Sequence, residues 1–258
     1  MATLPNPLPR LASLGLELPP GALVDATADG PWHEPLLWLA GGRAAPGARA
    51  ALQRSAPAAG LLPVVLDVGA GHGGPEEWEL IPGETSYPGD HDAEEVLEDL
   101  WYECAEDGVD WPGLAAARPM AADADPESVA SAVTDSLLDG GGPLKDPRLA
   151  LVPARRSADI PAAIGWTGLA NHENDVARLC AVLRSWEDRF GIRVVALGFD
   201  QLTVSVAVPP ATLAEAEAVA AEHFALCPDN LLQGADTTLA AYAEHQLLNQ
   251  PAWHFWWD

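Results

Sequence analysis

Residues 192–208 read IRVVALGFDQLTVSVAV and contain two apolar runs that are rich in β-branched residues. The runs are Ile192–Leu197 and Leu202–Val208, and the segment between them, Gly198–Gln201, has the composition of a turn. β-branched side chains favour extended backbone, and a connection this short joins antiparallel neighbours. This stretch therefore predicts a β-hairpin, and with it a sheet in the C-terminal part of the chain.

The segments on either side of this hairpin have clear helix and strand patterns. A helix is predicted to end at Phe190, and the capping box of Thr212 and Glu215 opens another that runs to about Leu226. A third helix is predicted over Thr237–Leu248. In the final run, Trp253, Phe255 and Trp257 alternate with His254, Trp256 and Asp258, which is typical of a strand with one buried face.

With a short strand predicted at Leu149–Val152, these elements indicate an α+β domain over residues 149–258. Its expected order is helix, hairpin, helix, helix and strand, around a small, mainly antiparallel sheet. The glycine run Gly140–Gly142 is the best candidate boundary on its N-terminal side.

Residues 1–140 are predicted to form a smaller α/β region that begins with an arm rich in Pro and Gly over the first thirty residues. Apolar runs predict buried strands, and helical spacing or capping residues predict helices. The predicted strands are Leu36–Leu39 and Leu61–Val68, and the predicted helices are Ala48–Ser55, His91–Cys104 and Asp125–Leu138.

The chain of 258 residues has a formal net charge of −25. Such a surface repels nucleic acid and anionic membranes, because both are bound by Lys and Arg. It permits a basic protein partner, since acidic surfaces attract basic ones. We therefore expect no nucleic acid and no membrane as partners; the oligomeric state is left open by the sequence.

Cys104, Cys180 and Cys227 are odd in number and far apart, which is not the pattern of a disulfide framework or a zinc ribbon. The N-terminus, Met1–Pro20, contains five prolines and does not have the pattern of a signal peptide. No apolar run is long enough to span a bilayer, which takes roughly 20 residues. We expect a cytoplasmic protein with neither a metal nor a cofactor.

One polar cluster is a candidate ligand or partner site. His223 and Cys227 are four residues apart on a predicted helix, a spacing that suits a thiol–imidazole pair or two metal ligands, but also a core histidine near a structural thiol. The cluster continues with turn-forming or ligand-orienting residues, the arginine of the preceding helix and the outward-facing residues of the last strand. These are Asp229, Asn230, Gln233, Arg189, His254, Trp256 and Asp258.

Arg189 has a second interpretation, since it lies near a helix end and is placed to pair with Asp258 or the terminal carboxylate.

A separate motif is the glycine-rich run Gly69–Gly74, which contains G-x-G-x-x-G after an apolar run. Nucleotide binding would require a helix directly after the glycines. Pro75 and the pair Pro82-Gly83 leave little room for one, so a flexible loop is favoured over a methyltransferase site.

The C-terminal half resembles a known bacterial family, the domain-of-unknown-function family numbered 4253. The resemblance spans Leu149–Asp258 and implies the domain without implying an activity. It is carried by LVPA at Leu151–Ala154, Gly165-Trp166, VLRSWEDRFG at Val182–Gly191, AAEHFALCPDNLLQG at Ala220–Gly234, Tyr242-Ala243 and WHFWWD at Trp253–Asp258.

Three functions are compatible with these patterns. The first is a non-catalytic binding or interaction protein, of a regulatory or immunity type, and it is favoured because the candidate catalytic groups also have structural explanations. The second is an enzyme with a polar site around His223, Cys227, Asp229 and Asn230. The third is a methyltransferase dependent on S-adenosylmethionine that uses Gly69–Gly74.

Overall fold

A computed structural model describes residues 5–69, 71–120, 124–139 and 142–258 of the chain. The strands are β1 (Gly21–Val24), β2 (Ala26–Thr27), β3 (Gly30–Pro31), β4 (Leu37–Arg43), β5 (Leu62–Asp67), β6 (Pro147–Val152), β7 (Arg193–Leu197), β8 (Gln201–Ser205) and β9 (Ala252–Trp256). The helices are α1 (Ala48–Gln53), α2 (Ala93–Cys104), α3 (Pro126–Leu138), α4 (Ile160–Ile164), α5 (Val176–Phe190), α6 (Leu213–Leu226), α7 (Asp229–Leu232) and α8 (Leu239–Tyr242).

Seven of these strands form one mixed sheet in the order β1-β4-β6-β5-β7-β8-β9. The paired strands are antiparallel except for β5 and β7, which are parallel. Strands from both halves of the chain alternate in this sheet, since β6 lies between β4 and β5. The α+β prediction is confirmed, but the sheet is larger than the small one that was predicted, because β1, β4 and β5 extend it.

The burial pattern explains why β5 and β6 lie inside the sheet. Val64 and Leu66 of β5 contribute to the core on one face, and Val65 contributes to a cluster on the other. All three side chains are almost completely buried. Side chains on both faces of such a strand are covered, so its residues are continuously apolar.

Helices cover the two faces of the sheet. Apolar residues of α2, α5 and α6 join the largest core cluster, which contains the completely buried Trp186. Residues of α1 and α3 cover the opposite face. Within the described ranges, the length and apolar composition that a membrane crossing requires are not met by any helix.

Local differences from the sequence predictions occur at both ends. The first thirty residues are not simply an extended arm, because Gly21–Val24 pairs with β4. The predicted helix Thr237–Leu248 is α8 followed by a π-helical turn over Ala243–Leu247. In β9, Trp253 and Phe255 are buried as predicted, and so is Trp257 just after it. Gly140 and Gly141 of the predicted boundary lie outside the described residues.

Candidate functional site

Three polar residues that follow α6 bind the main chain at the end of β9, and we call Cys227, Asp229 and Asn230 the clasp. The Asn230 side chain accepts a hydrogen bond from the Trp256 amide (3.2 Å) and donates one to the His254 carbonyl (2.7 Å). The Cys227 thiol donates to the Trp256 carbonyl at 3.0 Å. These bonds occupy groups on the outer edge of the last strand, so part of the predicted site fastens and seals a sheet edge.

Asp229 extends this arrangement to the C-terminus and to a histidine that the sequence analysis missed. One of its carboxylate oxygens accepts from the Asp258 amide (3.1 Å) and lies 2.9 Å from His172 Nε2. The other oxygen accepts from the side-chain amide of Gln233, with Nε2 at 2.9 Å. Burial raises the pKa of Asp229, but these hydrogen bonds outweigh it and leave the pKa lowered. Asp229 is therefore an ionised acceptor within the clasp.

A cavity of about 460 Å³ lies beside the other part of β9, and we call it the β9 cavity. Ala252, Trp253 and His254 form its wall on the strand side. The polar residues around it have both hydrogen-bond donors and acceptors. They are Asn230, Asp236, Tyr242, His245, Gln246, Gln250 and His254.

The π-helical turn over Ala243–Leu247 supplies two of these side chains. The Leu248 amide donates to the Ala243 carbonyl at 2.9 Å, the wider bond spacing of a π turn, and Asn249 follows in the left-handed region at φ 58°. Asp236 accepts from His245 Nδ1 (2.7 Å) and Gln246 Nε2 (2.8 Å). π turns are rare and frequently occur at functional sites, so this backbone marks the cavity as the candidate site.

His223 lies behind the cavity wall, and its side chain is completely buried. Its ring centroid is 4.7 Å from that of Trp253, and Nδ1 is 3.1 Å from the Tyr242 hydroxyl. Asn230 donates to that hydroxyl, whose own proton is therefore available to His223 Nδ1. The ring then has its hydrogen on Nε2, an atom without a partner among the described residues. Burial lowers the pKa of His223 to about 3, so the ring is neutral.

This buried imidazole predicts a pH-dependent stability. Below about pH 6.5, His223 takes up a proton in the unfolded chain but not in the folded one, so the free energy of unfolding falls as the pH falls. The expected slope from this group is about 1.4 kcal/mol per pH unit down to about pH 3. Urea unfolding of wild type and His223→Phe between pH 7 and 4.5 measures it. Parallel curves for the two proteins would contradict this assignment.

His223 and Cys227 do not form a thiol–imidazole pair in this geometry. The Cys227 thiol faces the Trp256 carbonyl, whereas His223 Nδ1 faces Tyr242. Burial raises the pKa of Cys227 to about 12, which opposes formation of the nucleophilic thiolate. Among the described residues, no three His, Cys, Asp or Glu side chains are grouped to hold a metal ion.

Arg189 pairs with Glu222, a buried residue that the sequence analysis missed, so the suggested pairing with Asp258 is wrong. Two guanidinium nitrogens of Arg189 lie 2.8 Å and 2.5 Å from the two Glu222 carboxylate oxygens. Glu222 also accepts from the Trp186 indole and the Ala115 amide, both at 2.7 Å. This ion pair links α5 to α6 and holds the segment around Ala115, since Arg189 also donates to the Ala115 carbonyl at 2.7 Å. None of its members lines the β9 cavity.

The predicted site residues therefore separate into three groups. Asn230, which also belongs to the clasp, and His254 line the β9 cavity, where His254 Nδ1 is 3.0 Å from the Thr203 hydroxyl. Arg189 and His223 are internal. The remaining ones belong to the clasp or to the groups that it binds: Cys227, Asp229, Gln233, Trp256 and Asp258.

The glycine-rich run Gly69–Gly74 follows β5 but does not open a long helix. A short 3-10 turn, Pro75–Glu77, comes next, and Ala70 lies outside the described residues. The carboxylate of Asp67 accepts from the main-chain amides of Lys145 and Asp146, at 2.9 Å and 2.7 Å. The helix N-terminus that nucleotide binding requires is therefore not formed by the described residues after this loop.

One part of this chain matches a known protein family. No curated protein matches the sequence, and no solved structure matches it. A family model matches residues 148–258, a range that holds all of β6 after Pro147, the strands β7–β9, the clasp and the β9 cavity. The description of that family is Domain of unknown function (DUF4253), and the match covers the C-terminal part of this chain.

Proposed function

We propose that this chain is a non-catalytic binding protein that receives a basic protein partner at the β9 cavity. The observation that carries the proposal is the convergence of polar side chains and strand edge on one cavity of about 460 Å³. Its size is within the range of ligand-binding sites, about 300–1,000 Å³. The two groups with potential catalytic chemistry, His223 and Cys227, are buried and have unfavourable pKa shifts.

Charge supports a basic partner. The chain has 38 acidic and 13 basic residues, so a cationic partner is attracted from a distance. Exposed carboxylates on α2 add to this field, and the same field opposes nucleic acid and anionic membranes. The exposed acidic residues of this helix are Glu94, Glu95, Glu98, Asp99 and Glu103.

The free thiols support a reducing compartment, and we place the protein in the cytoplasm on that basis. Cys104, Cys180 and Cys227 are unpaired with one another. Two of them donate to main-chain carbonyls, Cys104 to Phe224 at 3.7 Å and Cys227 to Trp256 at 3.0 Å.

A protein that acts by binding a basic partner is suited to a regulatory or immunity-type role.

A substitution that fills the cavity tests the proposal. Ala235 lines the cavity and is exposed, so Ala235→Trp is expected to block the cavity without disturbing the core. Ala12→Trp at an exposed position on the first 3-10 turn is the matched control. The three proteins are used as baits at low and high salt, and the captured proteins are identified by mass spectrometry. We expect a basic protein that binds wild type and Ala12→Trp, and that is lost with Ala235→Trp and at high salt.

Capture of the same basic proteins by all three baits would show that the general negative charge binds them, and would overturn the assignment to the cavity. Partner binding that survives high salt and Ala235→Trp would also contradict it. Urea unfolding of both variants is the folding control. Both free energies of unfolding are expected to remain within about 0.5 kcal/mol of the wild-type value, the small change typical of surface substitutions.

A further inference from the structure

The main-chain pattern of β9 determines which of its groups face the cavity. Pairing with β8 aligns Trp253 with Val204 and Phe255 with Leu202. The flanking bonds join the Val206 amide to the Pro251 carbonyl (2.7 Å) and the Trp257 amide to the Asp200 carbonyl (3.1 Å). Since these groups alternate along an antiparallel strand, the odd-numbered residues of β9 bond to β8. The amides and carbonyls of Ala252, His254 and Trp256 therefore point to the outer edge.

The clasp occupies only the C-terminal part of that edge. Asn230 and Cys227 bind the Trp256 amide, the Trp256 carbonyl and the His254 carbonyl. The Ala252 amide, the Ala252 carbonyl and the His254 amide have no partner among the described residues. Ala252 and His254 both line the β9 cavity. The strand edge is thus sealed at one end and open at the end that borders the cavity.

We propose that the occupant of the β9 cavity is an extended, basic segment of a partner protein that adds to the open part of β9 as a further strand. This inference rests on the proposed function and names the form of the partner. Unpaired edge groups are the usual template for strand addition, in which main-chain hydrogen bonds give affinity. Ala252 and His254 are separated by about 7 Å along the strand, so a segment of about three residues can satisfy all three groups.

Local charge favours a cationic segment. A carboxylate offers about four acceptor positions, and Asp236 uses two of them for His245 and Gln246. Glu244 is exposed on the adjacent π turn. Lys or Arg side chains of the segment can reach these carboxylates, whereas a second copy of this chain, with its net charge of −25, is repelled.

A proline at position 252 tests the main-chain contact. Ala252→Pro removes an amide that faces the cavity and leaves the bonds between β8 and β9 intact, which is the position where edge strands tolerate proline. Ala252→Ser keeps the amide and is the matched control. The probe is a library of heptapeptides with Lys or Arg at alternate positions, with binding measured by fluorescence anisotropy on the full chain.

We expect a saturable binder that keeps its affinity for Ala252→Ser and loses about tenfold for Ala252→Pro, the effect of one lost main-chain bond. N-methylation of alternate amides in that peptide is expected to abolish binding, and the peptide is expected to slow hydrogen exchange of the His254 amide. This exchange measurement on wild type remains decisive if Ala252→Pro fails to fold.

Absence of any binder in the library, or equal affinity of the N-methylated peptide, would overturn strand addition. Concentration-dependent dimerisation that Ala252→Pro abolishes would instead identify a second copy as the occupant. These outcomes are separate from failure of the proposed function. A natural partner that is lost with Ala235→Trp but retained by Ala252→Pro would leave the cavity as the binding site and exclude the added strand.

Discussion

Replacement of Arg189 by methionine is expected to lower the free energy of unfolding by about 3–5 kcal/mol, the usual cost of leaving one member of a buried ion pair alone. Glu222 is completely buried, and the Arg189 side chain is only 12% exposed. In the variant the carboxylate keeps only the Trp186 indole and the Ala115 amide as donors. Equilibrium unfolding in urea measures the change.

A double substitution separates the charge from the packing. In Arg189→Met/Glu222→Gln no charge is buried, and the glutamine oxygen still accepts from Trp186 or Ala115. We expect this protein to be more stable than Arg189→Met alone by about 1–3 kcal/mol, because the uncompensated carboxylate is removed. Simple additivity of the two single substitutions would show that the pair is not coupled.

A more exposed arginine provides the matched control. Arg178 pairs with Glu173 at 2.6 Å and with Asp99 at 3.1 Å, and the Asp99 side chain is 64% exposed. Glu173 keeps 17% of its side chain exposed, whereas Glu222 has none, so Arg178→Met is expected to cost less than Arg189→Met. If Arg189→Met cost no more than Arg178→Met, burial of Glu222 would not have the energetic consequence assigned to it.

Elements with local signals could be predicted from the sequence. The Thr212 hydroxyl and the Glu215 carboxylate form the predicted capping box at the start of α6. Asp125 caps α3 as predicted. The alternation after residue 252 correctly placed Trp253 and Phe255 inward. Each of these patterns depends on residues a few positions apart, whose propensities and periodicity are visible in one segment.

The strand order could not be predicted in this way. β6 pairs with β4 and β5, which lie about 80 or more residues earlier in the chain, and no local pattern records such a pairing. The same applies to the β9 cavity, because Asp236 and Gln246 meet β9 only after the chain folds. Glu222 could not be singled out either, because Glu215 and Glu217 are also acids among the alanines of α6.

The clasp differs from the ion pair in that its energy comes from main-chain hydrogen bonds. We expect Asn230→Leu to lower the free energy of unfolding by about 2–4 kcal/mol, because buried groups without partners cost about 1–3 kcal/mol each. The groups left without their Asn230 bonds are the Trp256 amide, the His254 carbonyl and the Tyr242 hydroxyl. Part of this site is solvent-exposed, so water can replace some of the lost bonds, and the expected loss of stability is smaller than the sum of three full penalties.

Two control substitutions make this prediction specific. Asn230→Asp keeps the acceptor for the Trp256 amide but places an oxygen against the His254 carbonyl, so stability falls while the Trp256 amide stays protected from hydrogen exchange. In Asn230→Leu that amide is expected to exchange rapidly, since Asn230 is its partner. Asn171→Leu, at an exposed asparagine, is expected to change stability by less than about 0.5 kcal/mol. An unchanged exchange rate at Trp256 in Asn230→Leu would contradict the assignment of Asn230 as the group that protects this amide.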